Sequence, residues 1–226
     1  MICWRVLLRE LPEPWLVMVC GLVGVGKTTI ARQIARELRA RYLSTDRVGY
    51  RLFGARRSYD DEYYRRVYEH MIVRAHRALS QGRHVVLDGT FLRREARQRF
   101  FSEFCEKASP WIVYVTCSEE VVKARLEARQ GYRLSERGYS DGRYEIYQAM
   151  KQKLSDGWSD PRSEEISFIT VDTALGEAHI VEARVKCGET ADARQATAQR
   201  ICGSHHCVVQ QVILQSRYAR QDRAIQ

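Results

Sequence analysis

Trp15-Leu-Val-Met-Val-Cys20, followed directly by Gly21-Leu-Val-Gly-Val-Gly26-Lys27-Thr28, decides the reading of this chain. The first six residues are an unbroken apolar run, as expected of a strand buried on both faces of a parallel sheet. The next eight match the Walker A pattern at every fixed position. Its glycines let the backbone wrap closely enough for N–H groups to point at phosphate oxygens, and the helix that follows presents its positive end. Lys27 supplies a point charge for the outer phosphates, and the Thr28 hydroxyl can ligate Mg²⁺. Gly21, Gly24, Val25, Gly26, Lys27, Thr28 and Thr29 are therefore the expected nucleotide contacts, with ATP and Mg²⁺ as the expected cofactors.

Outward from this stretch, strands and helices alternate. Ile30, Ile34, Ala35 and Leu38 recur at helical spacing, which predicts a helix over Lys27–Ala40. Further strands are expected at Tyr42–Asp46, His84–Asp88, Trp111–Cys117 and Ile166–Val171. Helices are expected from about Ser58 to Ser80, Leu92 to Lys107, Ser118 to Arg129 and Arg143 to Leu154. The pattern predicts an α/β P-loop NTPase fold: a doubly wound, mainly parallel five-stranded sheet with helices on both faces. Functional groups should then collect at the C-terminal ends of the strands. Residues 1–186 are expected to form this domain, with an arginine-bearing lid at about 125–142. Residues 187–226, rich in Gln, Ala, Arg and Ser, read as a tail of undecided structure.

A phosphate cradle in a short single domain, without the signatures of motors or transporters, favours phosphoryl transfer to a separate hydroxyl acceptor. That chemistry needs a base near the acceptor, support for Mg²⁺, and cations that neutralise the moving group. Asp46 and Asp88 end two predicted strands. Arg125, Arg129, Arg133 and Arg137 fall at four-residue intervals, and the first pair projects from one helix face. Asp46 as a helix cap, Asp88 as a turn residue and the arginines as a solvated face are the plainer alternatives.

The order Gly21–Thr28, Leu43-Ser-Thr-Asp46, Val85-Val-Leu-Asp-Gly-Thr-Phe-Leu92 and Lys123-Ala-Arg-Leu-Glu-Ala-Arg129 resembles a group of P-loop kinases. The group includes phage-type polynucleotide kinase domains, zeta-toxin-like and chloramphenicol-phosphotransferase-like proteins, and the resemblance covers roughly residues 15–185. It implies Asp46 as general base and Asp88 as the residue ordering the acceptor side, either of them assisting Thr28 at Mg²⁺ through water. It implies Arg129, with Arg125 beside it, as the lid arginine reaching the donor phosphates. Tyr147 falls in the helix that often follows the lid and is expected to face the acceptor. Where these kinases often carry an arginine three residues after the base, this chain has Gly49, with arginines at 47 and 51. Arg51 is the candidate replacement, and the departure counts against a polynucleotide 5′-OH as acceptor.

The expected function is thus Mg·ATP-dependent phosphorylation of a hydroxylated small molecule. A nucleic-acid 5′-OH kinase or a sugar-nucleotide kinase is the alternative within enzymes, and a nucleotide-binding regulatory or nucleic-acid-binding module lies outside them. The net charge of +9, carried by arginine far more than lysine, suits phosphate ligands but does not by itself specify nucleic acid. Tyr59, Tyr63, Tyr64 and Tyr68 read as helix-to-sheet packing, with a stacking platform for a base or aromatic acceptor as the other possibility. Seven scattered cysteines fit a reducing compartment, and the absence of a membrane-length apolar run and of a leader pattern points to the cytoplasm. Cys202-Gly-Ser-His-His-Cys207 holds four potential metal ligands but lacks a second cluster to close a zinc site.

Overall fold

The computed structural model describes residues 2–8, 13–130, 132, 140–155, 160–164, 166–176 and 178–185. Arg133, Arg137, the Cys202–Cys207 cluster and residues 187–226 lie outside the described residues.

Every side chain of β1 (Trp15–Cys20) is buried, because the strand runs through the middle of the sheet. Trp15, Val17 and Val19 point into one core, and Leu16, Met18 and Cys20 into the other, the two-residue alternation of a pleated strand with both faces covered. After β1 come α1's successors in chain order: α1 itself is Trp4–Leu8, and α2 is Lys27–Glu37. They are followed by β2 (Arg41–Ser44), α3 (Thr45–Phe53), α4 (Asp61–Leu79), β3 (Val85–Asp88), α5 (Arg94–Phe104) and β4 (Ser109–Thr116). The series closes with α6 (Glu119–Ala128), α7 (Tyr144–Ser155), β5 (Ser167–Asp172) and β6 (His179–Arg184).

The strand order is β2-β3-β1-β4-β5-β6, and all neighbours are parallel except β5 and β6. Helices α1, α2, α6 and α7 cover the first core, with Ile30, Ile34, Val122, Leu126 and Tyr147 packed on it. Helices α3, α4 and α5 cover the second, through Val48, Val67, Met71, Phe100 and Phe104. The chain leaves β1 toward β2, returns through β3 beside β1, then crosses to β4. The C-terminal tips of β1 and β3 therefore flank the point where strand order reverses, where ligands of open α/β sheets bind.

Three features differ from expectation. The sheet has six strands rather than five, because β6 adds antiparallel to the edge; its half-exposed alternation gives only a weak strand signal. The second strand stops at Ser44, not Asp46, because the Ser44 side chain accepts from Arg47 N at 3.5 Å and starts α3. Asp46 thus stands in the first turn of a helix whose cap is Ser44, not Asp46 itself. The apolar N-terminal segment forms α1, which buries Trp4 and Leu8 against the body of the fold. Among the described residues, no helix is long and apolar enough to cross a membrane, and Cys3, Cys20, Cys105 and Cys117 are free thiols.

Candidate active site

The loop between β1 and α2 closes through backbone that only glycine adopts readily. Gly26, the residue before α2, has φ 97°, and Gly24 has φ 85° with a hypothetical Cβ only 2.8 Å from Val122 Cγ1. Gly21 and Val25 lie behind the loop and shape it. Gly21 N donates to Thr90 O at 3.2 Å, and Val25 O accepts from Thr173 Oγ1 at 2.7 Å. Gly24, Gly26, Lys27, Thr28 and Thr29 face a cleft of about 1300 Å³.

Asp46, Asp88 and Arg129 line the same cleft. Thr28 Oγ1 donates to Asp88 Oδ2 at 2.9 Å, and the Tyr42 hydroxyl donates to the same oxygen at 2.5 Å. A hydroxyl and a carboxylate side by side at the mouth of an anion cradle form the hard oxygen pair that suits Mg²⁺. Among the described residues no cluster of three His, Cys, Asp or Glu could cage a metal. Lys27 Nζ donates to Leu22 O at 2.6 Å; burial lowers its pKa, while the Asp88 and Asp46 carboxylates oppose that shift and Arg129 adds to it. Asp46 is recessed but reachable through the cleft. Surrounding protein pushes its pKa up to about 6, with the Asp88 charge adding to the effect and Lys27 and Arg57 opposing it. A carboxylate poised near neutrality is suited to taking a proton.

The remaining predicted site residues lie elsewhere. Arg125 donates to Thr173 O at 2.7 Å and Thr173 Oγ1 at 3.0 Å, which holds it beside the loop but outside the cleft lining. Arg51 is exposed on α3, near His70 and Arg74 on α4, and does not reach the cleft, so it cannot stand in for a missing arginine there. Tyr147 is 4% exposed and packs in the first core, because it occupies the inward face of α7; the cleft-facing side carries Ile146, Ala149, Met150 and Lys153.

Gly49 has a local explanation. A Cβ there would lie 1.8 Å from the Tyr63 hydroxyl, so the tyrosine occupies the space a side chain would need. Tyr63 in turn accepts from Arg57, whose side chain is 2% exposed, pairs with Asp141 at 3.5 Å and lies over the Tyr59 ring. Besides Lys27, the cation whose charge favours ionised Asp46 is Arg57. Sequence reasoning missed Arg57, Tyr42 and Thr173. The first lies in a loop without a motif, and the other two become recognisable only once strand tips are neighbours. It also missed Arg97, fully buried, which donates to Glu164 at 2.8 Å and to the carbonyls of Phe91 and Leu92 at 2.9 and 3.0 Å, anchoring the turn after Asp88.

Residues 16–155 match the family model for the AAA domain, well over half the chain. The chain belongs to the AAA domain family. No curated protein sequence matches this AAA domain. Its fold is similar to that of a Chloroflexus aurantiacus j-10-fl protein assigned as a kinase (TM-score 0.55, 19% identity, 84% of this chain and 100% of that one). It is also similar to a gluconokinase from Sinorhizobium meliloti 1021 (TM-score 0.50, 18% identity, 90% and 98% covered). At these identities the likeness shows the fold alone.

Proposed function

We propose that this AAA domain is a kinase that transfers the γ-phosphoryl group of ATP to a hydroxyl of a small molecule. The observation that carries the reading is the convergence of Lys27, Thr28, Asp46, Asp88 and Arg129 on one cleft at the switch point of the sheet. Residues 1–186 form the catalytic unit in this reading, with 125–142 as its lid.

The N–H groups at the start of α2 and the Lys27 ammonium hold the outer phosphates. Thr28 and Asp88 hold Mg²⁺, which when bound shields phosphate charge, and Tyr42 keeps the Asp88 carboxylate turned toward Thr28. Asp46 accepts the proton of the acceptor hydroxyl as its oxygen attacks the γ-phosphorus and the β–γ bridge bond breaks, leaving ADP. Arg129 offsets negative charge on the transferring group. The test is ADP release across a panel of hydroxylated metabolites, aryl glycosides, antibiotics and 5′-OH oligonucleotides. Acceptor-dependent release from a small molecule supports the reading. Tight ATP retention with no acceptor-dependent release from any member of such a panel would refute it.

A further inference from the structure

We propose that the acceptor hydroxyl is carried on a molecule with a planar aromatic or heteroaromatic ring, which lies against Tyr59, Tyr64 and Tyr68. This rests on the kinase reading above and narrows its acceptor. Of the four tyrosines at the start of α4, only Tyr63 is buried as a packing residue, at 2% exposure. Tyr59, Tyr64 and Tyr68 are half-covered and line the cleft. Ring centroids are 6.4 Å apart for Tyr59 and Tyr64 and 5.7 Å apart for Tyr64 and Tyr68, and Tyr68 stacks on Phe91 at 5.8 Å. The result is one aromatic surface, backed by core, facing an open cavity. Apolar surface left facing a cavity beside convergent polar groups is the mark of a ligand wall.

Helix α7 adds aliphatic side chains to the lining, beside Glu145 and Lys153. Ile146, Ala149 and Met150 sit at the three- and four-residue spacing of one helix face and line the same cleft. A flat ring can cover these aliphatic side chains as well as the tyrosines, and methionine adapts to its outline. A ringless polyol would meet charged and hydroxyl side chains of the cleft, among them Thr90, Arg93, Glu95 and Arg99, but would leave the three tyrosine rings uncovered. No glutamine or histidine lines the cleft among the described residues, and the chain has no asparagine. Two of the carboxylates lining the cleft are already engaged: Asp61 with Arg93 at 2.7 Å, and Asp141 with the Tyr59 hydroxyl at 2.5 Å.

The test compares ligands that share hydroxyls and differ in the ring. With the full chain saturated by Mg·ADP, so that the donor site is filled, saturation-transfer NMR titrations would measure phenyl β-D-glucopyranoside against methyl β-D-glucopyranoside, and uridine against ribose. The ring-bearing member of at least one pair should bind about tenfold more tightly or better. Tyr64→Ala should abolish that preference and Tyr64→Phe should keep it, both with unchanged Mg·ADP affinity. Preference in the first pair alone assigns an aryl body, and in the second alone a nucleobase; either supports the proposal. Equal binding within both pairs, no binding at all, or a preference that survives Tyr64→Ala overturns it. Because binding is the readout, ring selectivity without phosphoryl transfer would overturn the kinase reading and leave this inference standing. Transfer to ringless acceptors unaffected by Tyr64→Ala would do the reverse.

Discussion

In the proposed kinase reading, the donor wall of the cleft draws on the backbone and two side chains of consecutive residues, Gly24 to Thr29, whereas the acceptor wall gathers single side chains from distant elements. Asp46 comes from the start of α3, Tyr59 from the loop before α4, Tyr64 and Tyr68 from α4, and Asp141 from the segment before α7, with Arg57 held behind them by Tyr63 and Asp141. Backbone recognition constrains sequence tightly, since only glycine permits its dihedral angles and close approaches. Side-chain recognition constrains only the sum. Tyr63 fills the room above Gly49, and Arg57 arrives from another direction with the charge. A wall of the second kind can change its ligand without changing the fold.

The sharpest test of this contrast is Arg129→Ala, which should cut turnover about 10³-fold while ADP affinity, measured by calorimetry, changes only a few-fold. Asp46→Asn should follow, with a loss on the order of 10²-fold or more in steady-state ADP release and nucleotide binding nearly intact. If nucleotide binding collapses instead, the division of labour between the walls is wrong. The same residue predicts a pH dependence. A base with its pKa raised to about 6 is protonated and idle below that pH, so turnover should rise through pH 6. The sign for stability is opposite: the folded state binds the extra proton between the ordinary carboxylate range and pH 6, a stabilisation lost as pH rises through 6. Asp46→Asn should therefore melt higher than the parent at pH 8, and by a smaller margin at pH 5.

Smaller effects probe the foundations of the acceptor wall. Arg97→Met strands the buried Glu164 carboxylate and two carbonyls, and should cost roughly 3 kcal/mol in urea unfolding. Gly49→Ala should cost ~1–3 kcal/mol by driving the Tyr63 hydroxyl out of its place, and Tyr63→Phe in the same chain should recover part of the loss. Tyr42→Phe removes one of two donors to Asp88 and should raise the Mg²⁺ concentration needed for half-maximal turnover a few-fold, with stability changed by about 1 kcal/mol.

The same asymmetry governs how far the sequence could be read. The five parallel strands and the phosphate loop announced themselves, because a doubly buried strand is apolar throughout and the loop needs glycine at set intervals. Asp46 and Asp88 could be picked out because they end or follow short strands. Arg51 and Tyr147 were drawn by spacing and resemblance, yet helix rotation turns one to solvent and the other into the core. Spacing along a chain does not by itself reveal rotation about a helix axis. Arg57 left no local trace, since its burial depends on Asp141 and Tyr63 arriving from elsewhere. The edge strand β6 escaped notice because a strand covered on one face alternates too weakly to separate from its surroundings.

Asp141 and Gly142 adjoin both walls at once. Asp141 accepts from Tyr59 and pairs with Arg57, while a Cβ on Gly142 would stand 2.0 Å from Val23 Cγ2 in the phosphate loop. In the proposed reading, a shift of that loop on gripping a triphosphate passes to the tyrosines through Gly142 and Asp141, and a ring settling on the tyrosines presses back by the same route. By linkage, whatever factor one ligand imposes on the other's dissociation constant is returned in full, so a donor and a ring-bearing acceptor coupled by this route are thermodynamic partners before any bond is made.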